Sequence, residues 1–236
     1  MKFTFSRYRE LLNDLKSAFK FGSFSKFEKE KVLYLRHDVD IFHENIIKFM
    51  DIEKSVGAKS IFFFQPNSSF YNLLAQKMKK LINFITDSGF EIGLHIDAAN
   101  HNTISDIIEE TRNFFDFYSN YFKLSNIISF HRPSKNVLRN IKIPGFINTY
   151  EDRFFKEIRY FSDSNRRCFL DQMKESINKD NKTSIQLLIH PYWWDFEHLD
   201  IQGLSTRLEI VRINNLRLAL ADETRLYRHY FSGRLT

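Results

Sequence analysis

The sequence predicts an α/β fold: parallel strands followed by helices, curled into a deformed or incomplete seven-stranded (β/α) barrel with extra helices at both ends. Three observations predict it. Seven short apolar runs alternate with longer segments of helical period, as a parallel sheet with helices on its outer face requires. The chain has 236 residues, enough for one mid-sized domain, since α/β barrels run somewhat above the usual scale of about 100–200 residues. Finally, histidines and carboxylates crowd just past several of the apolar runs, where parallel α/β folds gather their active sites.

Taken in order, Phe5 to Phe19 places Tyr8, Leu11, Leu12, Leu15 and Phe19 on one helical face. Val32–Leu35 is a short buried strand. A helical pattern through Phe42, Ile46, Phe49 and Met50 ends at Gly57, a C-terminal stop. Ser60–Phe64 is strand-like, Leu73 to Thr86 helical, and Phe90–Leu94 a strand. Thr103 to Tyr118 is a helix with Thr103 as its cap and Asp106 three residues on. Strands follow at Asn126–Phe130, Phe146–Thr149 and Ile158–Phe161, then a helix at Arg167 to Ile177 and a strand at Ser184–Ile189. The tail from Leu204 to about Phe231 has helical period and is expected to cover the core from outside. The whole chain, 1–236, reads as a single domain: an N-terminal helix and loop (1–30), a core (about 31–195) and a C-terminal helix (202–236). No internal repeat or Pro/Gly/Ser-rich linker interrupts it.

Composition narrows the function. Hydrophobic residues make up 43% and charged residues 27%, ordinary for a globular protein. The 26 phenylalanines against 7 glycines fit an AT-rich coding sequence. The net charge of +6 suits an anionic ligand such as a nucleotide-linked sugar, but its lysines and arginines are interspersed with acids, so nucleic acid is not expected as a partner. Cys168 is the one cysteine, which excludes an intrachain disulfide and a cysteine-rich zinc site. The N-terminus lacks the apolar core of a signal peptide and no run reaches the roughly 20 apolar residues of a transmembrane helix. A cytoplasmic protein is the expectation.

Four of the eight histidines follow strand-like runs: His37, His95, His131 and His190. At four strand ends they are expected to converge on one rim. Asp38 and Asp40 stand two apart, so both carboxylates lie on one side while the strand persists. Two such charges need a cation or a shared proton, and a divalent metal supplies the former. Asp163 ends a later strand. A lone histidine in such a place is more often a loop or core residue, and Asp40 can equally cap a helix entered near Ile41–Glu44. Four histidines with paired aspartates in one topological position point instead to a shared site. His43 and His229 read as helix-surface residues, while His101 lies close enough to His95 to reach the same site.

These residues fall in a familiar order: Leu35-Arg36-His37-Asp38-Val39-Asp40, then Gly89-Phe90-Glu91-Ile92-Gly93-Leu94-His95, then Ser129-Phe130-His131-Arg132-Pro133, then Ile185-Gln186-Leu187-Leu188-Ile189-His190-Pro191. The set resembles the polysaccharide deacetylases of carbohydrate esterase family 4, in particular the divergent branch of bacterial O-antigen and other surface-polysaccharide gene clusters, over roughly residues 31–195. The resemblance implies a deformed seven-stranded barrel and a divalent metal, often zinc. It implies Asp38 as the catalytic base, Asp40 and His95 as metal ligands, His190 as the acid and Asp163 as the residue orienting catalytic groups. This sequence departs from the family at Ala99, where a second histidine four residues past His95 is usual. His131, standing where an arginine is usual, is the first candidate for the third ligand and His101 the second. The contact that the missing arginine makes with the base falls to Arg132 or Arg36, or is absent.

The activity implied is removal of an N-acyl group, most simply acetyl, from an amino sugar in surface-polysaccharide biosynthesis. A nucleotide- or lipid-linked sugar suits a cytoplasmic enzyme, with Arg132 near a diphosphate. The aromatic pair Trp193 and Trp194 after His190 offers a ring to stack on the pyranose, or else both rings anchor the core. Gln65, Asn67 and Ser68-Ser69 end another strand, within reach of sugar hydroxyls or in an ordinary solvated loop. The alternatives are a deformylase or ureide hydrolase on the same scaffold, or a carbohydrate-binding relic that no longer turns over.

Overall fold

A computed structural model describes residues 2–42, 45–101, 103–133 and 142–223. These group into two compact units, one up to Phe196 and one from Glu197. The first contains a sheet of parallel strands: β1 (Lys20–Phe21), β2 (Val32–Val39), β3 (Ser60–Phe64), β4 (Glu91–Asp97), β5 (Ile127–His131), β6 (Ile147–Asn148), β7 (Arg159–Ser162) and β8 (Ile185–Ile189). Seven of them run in the order β6-β5-β4-β3-β2-β8-β7, and β1 pairs beside β2. The strands curl into an incomplete barrel whose two ends are β6 and β7. All seven expected strands are present; the two-residue β1 was too short to carry a periodic signal.

Helices α1 (Phe5–Ala18), α2 (Ile46–Val56), α3 (Gln76–Asp87), α4 (Ile104–Tyr118), α5 (Asp152–Phe155) and α6 (Leu170–Lys179) belong to the same unit. Local chemistry sets their ends. Thr103 and Asp106 exchange hydrogen bonds in a capping box at the start of α4, a device worth about 1 kcal/mol. Gly57 closes α2 in the left-handed conformation, at φ 73°. Helix α2 begins at Ile46, so Phe42 precedes it and Asp40 does not cap it. The second unit carries α7 (Ile201–Glu223); the remainder of the expected C-terminal helix, with His229, lies outside the described residues, as does His43. Among the described residues no helix is long and apolar enough to cross a membrane.

Strand alternation divides the core into two sides. One set of side chains, including Leu33, Leu35, Ile185, Leu187 and Ile189, packs with Leu12, Leu15, Phe49 and Met173 from the helices. The alternate set, Val32, Tyr34, Ile61, Phe63 and Ile127, fills the barrel interior with Phe24, Phe154 and Ile158. Gly93 belongs to that interior set; a Cβ there would stand 2.5 Å from the Phe63 ring and 2.4 Å from the Ile127 carbonyl, so only glycine lets that layer close.

Two interior polar side chains reach the turn that follows β6. Arg36 on β2 donates to Thr149 Oγ1 and, at 3.0 Å, to the Tyr150 hydroxyl. Gln186 on β8 donates to the carbonyls of Thr149 (3.1 Å) and Phe154 (2.9 Å).

Candidate metal and catalytic site

Climbing the interior set toward the C-terminal strand ends, the side chains turn polar. From β2 come Arg36 and Asp38, then Asp40 just beyond it; from β4, His95 and Asp97; from β5, Ser129 and His131; after β8, His190. Parallel register brings them level, with Asp97 beside His131 and His95 beside Ser129.

The Asp40 Oδ1 atom stands 3.1 Å from His95 Nε2 and 3.1 Å from His131 Nδ1. One donor atom from each of the three lies within 4.8 Å of the others. Burial pushes the Asp40 carboxyl up, yet hydrogen bonds from His131 and His95 and the nearby His190 charge hold it well below the usual carboxylate range. The donor set fits a divalent cation: one anionic oxygen and two imidazole nitrogens on one small volume, the chemistry that zinc and neighbouring transition metals take. A second observation agrees, since Asp38 Oδ1 is buried and has no hydrogen-bond partner, an arrangement proteins rarely leave without a ligand or water.

Asp38 is 2% exposed and is held through its other oxygen. Asp38 Oδ2 accepts from Ser129 Oγ at 3.3 Å and lies 3.4 Å from Arg36 Nη2 and 3.7 Å from His95 Nε2. Across the cluster, His190 Nε2 stands 3.7 Å from Asp40 Oδ2. Its Nδ1 meets Asp163 Oδ1 at 2.6 Å, and Asp163 also accepts the His190 backbone N–H (3.0 Å) and the Trp194 indole N–H (2.8 Å). Burial alone would lower the His190 imidazole, but the Asp163 carboxylate against Nδ1, with Asp40 and Asp38 farther off, raises it to about 9.

Asp38, Asp40, His95, His131 and His190 line a cavity of about 260 Å³ together with Tyr150, Ser164, Asn165, Leu188 and Trp193. Tyr150, Ser164 and Asn165 were missed in the sequence; each sits just past a short strand, which is the signal that marked the histidines. Asn165 takes a left-handed φ of 55°, a conformation Asn tolerates better than most residues.

Several expected site residues lie elsewhere. His37 does not join the rim. The alternation that puts Asp38 inside sends His37 to the helix side, where Nε2 meets Glu53 Oε1 at 2.6 Å and the ring stacks on Phe62. His101 pairs with Glu110 of α4. Ala99, where a histidine is usual in the resembled family, sits exposed in a 3-10 turn capped by Asp97. Substrate contact by Trp194 and Arg36 is corrected: both are 0% exposed, because Trp194 anchors Asp163 from the core and Arg36 lies beneath Asp38. Trp193 does line the cavity. Arg132 also lines it, with its side chain 58% exposed and ion-paired to Asp97.

No family model matches the chain, and no curated protein matches it. Among solved structures, a family 4 carbohydrate esterase from Bacillus anthracis aligns at 18% identity and a TM-score of 0.43, over 86% of this chain and 84% of that one. A peptidoglycan deacetylase of Bdellovibrio bacteriovorus aligns at 15% identity and 0.43, over 80% of this chain and 50% of the other. A carbohydrate esterase family 4 pseudoenzyme from Bacillus anthracis aligns at 14% identity and 0.43, over 67% of this chain and 54% of its own. The chain thus spans about half the length of the latter two. Likenesses this distant carry no argument about activity.

Proposed function

We propose that this protein is a hydrolase that uses a divalent cation, most simply zinc, to remove an N-acyl group, acetyl in the first instance, from an amino sugar. One observation carries the reading: a buried carboxylate with a bare oxygen, Asp38, and a histidine oriented by a buried carboxylate, His190, flank the cluster of Asp40, His95 and His131. The order of the sequence motifs supports the same assignment.

Asp40, His95 and His131 would hold the cation. When bound, it supplies Lewis acidity toward an acyl carbonyl and toward water. Asp38 Oδ1 accepts a proton from water as its oxygen forms a bond to the acyl carbon. Arg36 and Ser129 hold the other oxygen and keep this carboxylate in place. His190, protonated because Asp163 raises it to about 9, donates the Nε2 proton to the departing nitrogen as the C–N bond breaks. The products are a free carboxylic acid and the amine. Acid and base assistance of this kind is each worth about 10²–10⁴ in rate. Leu188 and Trp193 offer apolar surface to the acyl group and the sugar ring. Arg132, on the mouth, suits an anionic substituent, as on a nucleotide- or lipid-linked substrate made in the cytoplasm.

Ala99 is the sequence feature that speaks for an inactive relic; Asp38, Asp40 and His190 speak against it, and the position of His131 beside Asp40 and His95 supports the active reading. The experiment is direct: the purified protein with added Zn²⁺ is incubated with N-acetylated and N-formylated amino sugars, free, nucleotide-linked and lipid-linked, and products are followed by mass. Loss of an acetyl group by wild type, abolished in Asp38→Asn and His190→Gln, is expected. Turnover of formylated sugars alone would make it a deformylase, and no turnover of any would overturn the enzymatic reading.

A further inference from the structure

The parallel ladder between β2 and β3 ends at the pair Val39 and Phe64. The next two residues are Asp40 and Gln65, and a hydroxyl bridges the two strands there, between Val39 and Gln65. Tyr71, from the connection between β3 and α3, accepts the Gln65 backbone N–H at 2.8 Å and donates to the Val39 carbonyl. The inserted phenol lets the strands part while leaving neither backbone group unsatisfied. Across that gap the Gln65 amide Nε2 donates to Asp40 Oδ1 at 3.1 Å. Gln65 is 9% exposed, so its amide is fixed in the wall of the site and not free in a solvated loop.

The oxygen it reaches is the one that faces His95 Nε2 and His131 Nδ1, each at 3.1 Å. An ionised carboxylate only accepts, so the amide must present N–H to it. We propose that Gln65 is a positioning residue for the metal site: its amide pins the rotation of the Asp40 carboxylate, and the Tyr71 hydroxyl pins Gln65. This rests on the metal-dependent reading above. An uncharged donor suits the task. A lysine or arginine there would compete with the cation, and a glutamate would repel Asp40. Burial pushes the Tyr71 phenol well above the ordinary tyrosine range, so it remains a hydroxyl able to serve both partners. Partners of this outer kind are typically worth about 10–100-fold in metal affinity.

The test measures Zn²⁺ affinity by competition with a chromophoric chelator, and the visible spectrum of the Co²⁺-loaded protein, for wild type, Gln65→Met, Gln65→Glu, Tyr71→Phe and Asp40→Asn. Gln65→Met is expected to bind Zn²⁺ about 10–100-fold more weakly, with an altered Co²⁺ spectrum and unchanged circular dichroism. Tyr71→Phe should move in the same direction by less, and Gln65→Glu should also bind more weakly. Wild-type affinity in Gln65→Met overturns the proposal. So does tighter binding by Gln65→Glu, which would make the amide oxygen a direct ligand. If Gln65→Met does not fold, Tyr71→Phe decides, and unchanged affinity in it overturns the proposal. Equal, negligible binding by wild type and Asp40→Asn would instead bring down the metal reading itself, and this inference with it.

Discussion

Glu53 offers the sharpest check on which face of β2 does the chemistry. It is 0% exposed, within α2, and accepts from Tyr8 OH at 2.7 Å, from His37 Nε2 at 2.6 Å and from Ser60 Oγ. Glu53→Ala strips the acceptor from three buried donors at once. At about 1–3 kcal/mol for each buried group left unsatisfied, the loss is on the order of 3–9 kcal/mol. Total stabilities run about 5–15 kcal/mol, so this one substitution removes a large share. Tyr8→Phe takes away one donor and leaves two, and should cost only about 1 kcal/mol. Urea unfolding followed by circular dichroism measures both. Zn²⁺ affinity, taken where the variant is still folded, should not change, because His37 and Glu53 lie on the helix side of the sheet while Asp40 lies on the interior side. An unfolding free energy for Glu53→Ala within about 1 kcal/mol of wild type would refute the reasoning, since it would mean that the network of buried donors does not depend on this carboxylate.

Two further outcomes follow from the site. His131→Ala should abolish stoichiometric Zn²⁺ binding while His101→Ala leaves it intact, since His101 is engaged with Glu110; metal analysis after dialysis reads both. In the metal-free protein, an NMR titration should place His190 near 9, and Asp163→Asn should bring it to its ordinary value of about 6.5 or below. With less of His190 protonated, deacylation by Asp163→Asn is expected to be slower than wild type, most of all on the alkaline side. Because the folded value is the higher one, the stability this pair contributes is full below about pH 6.5 and fades as pH rises through about 9; Asp163→Asn should flatten that part of the thermal-midpoint profile.

The strands were legible because each is a compact apolar run, and the site was legible because its residues stand at the ends of those runs. Asp38 and Asp40 share a side by simple alternation. The same alternation excludes His37, so its separation from the rim was available in the sequence and needed only to be applied to the histidine as well as to the aspartates. Other features were not available. Trp193 and Trp194 are adjacent and identical, and only the packing of Asp163 decides which is core. Arg36 is a charged residue in a strand interior, where local pattern cannot tell a buried anchor from a substrate contact. Gln65 looked like loop, since its partner, Asp40, lies 25 residues away in sequence and the hydroxyl that arranges their meeting belongs to Tyr71. Start residues of α2, α3 and α6 shifted by a few positions because apolar residues before the true first turn, such as Phe42 and Leu73, pack on the core without being helical.

The unjoined edges of the sheet have a consequence for how such a cavity changes shape. Paired strands hold a spacing of about 4.8 Å that side chains cannot alter. Between β2, β8 and the turn bearing Tyr150, the tie is instead made by the reach of two side chains, the guanidinium at 36 and the amide at 186. That span is set by rotamers. Shortening either residue would release the turn bearing Thr149 and Tyr150 while every strand keeps its register, and at 36 it would loosen Asp38 as well.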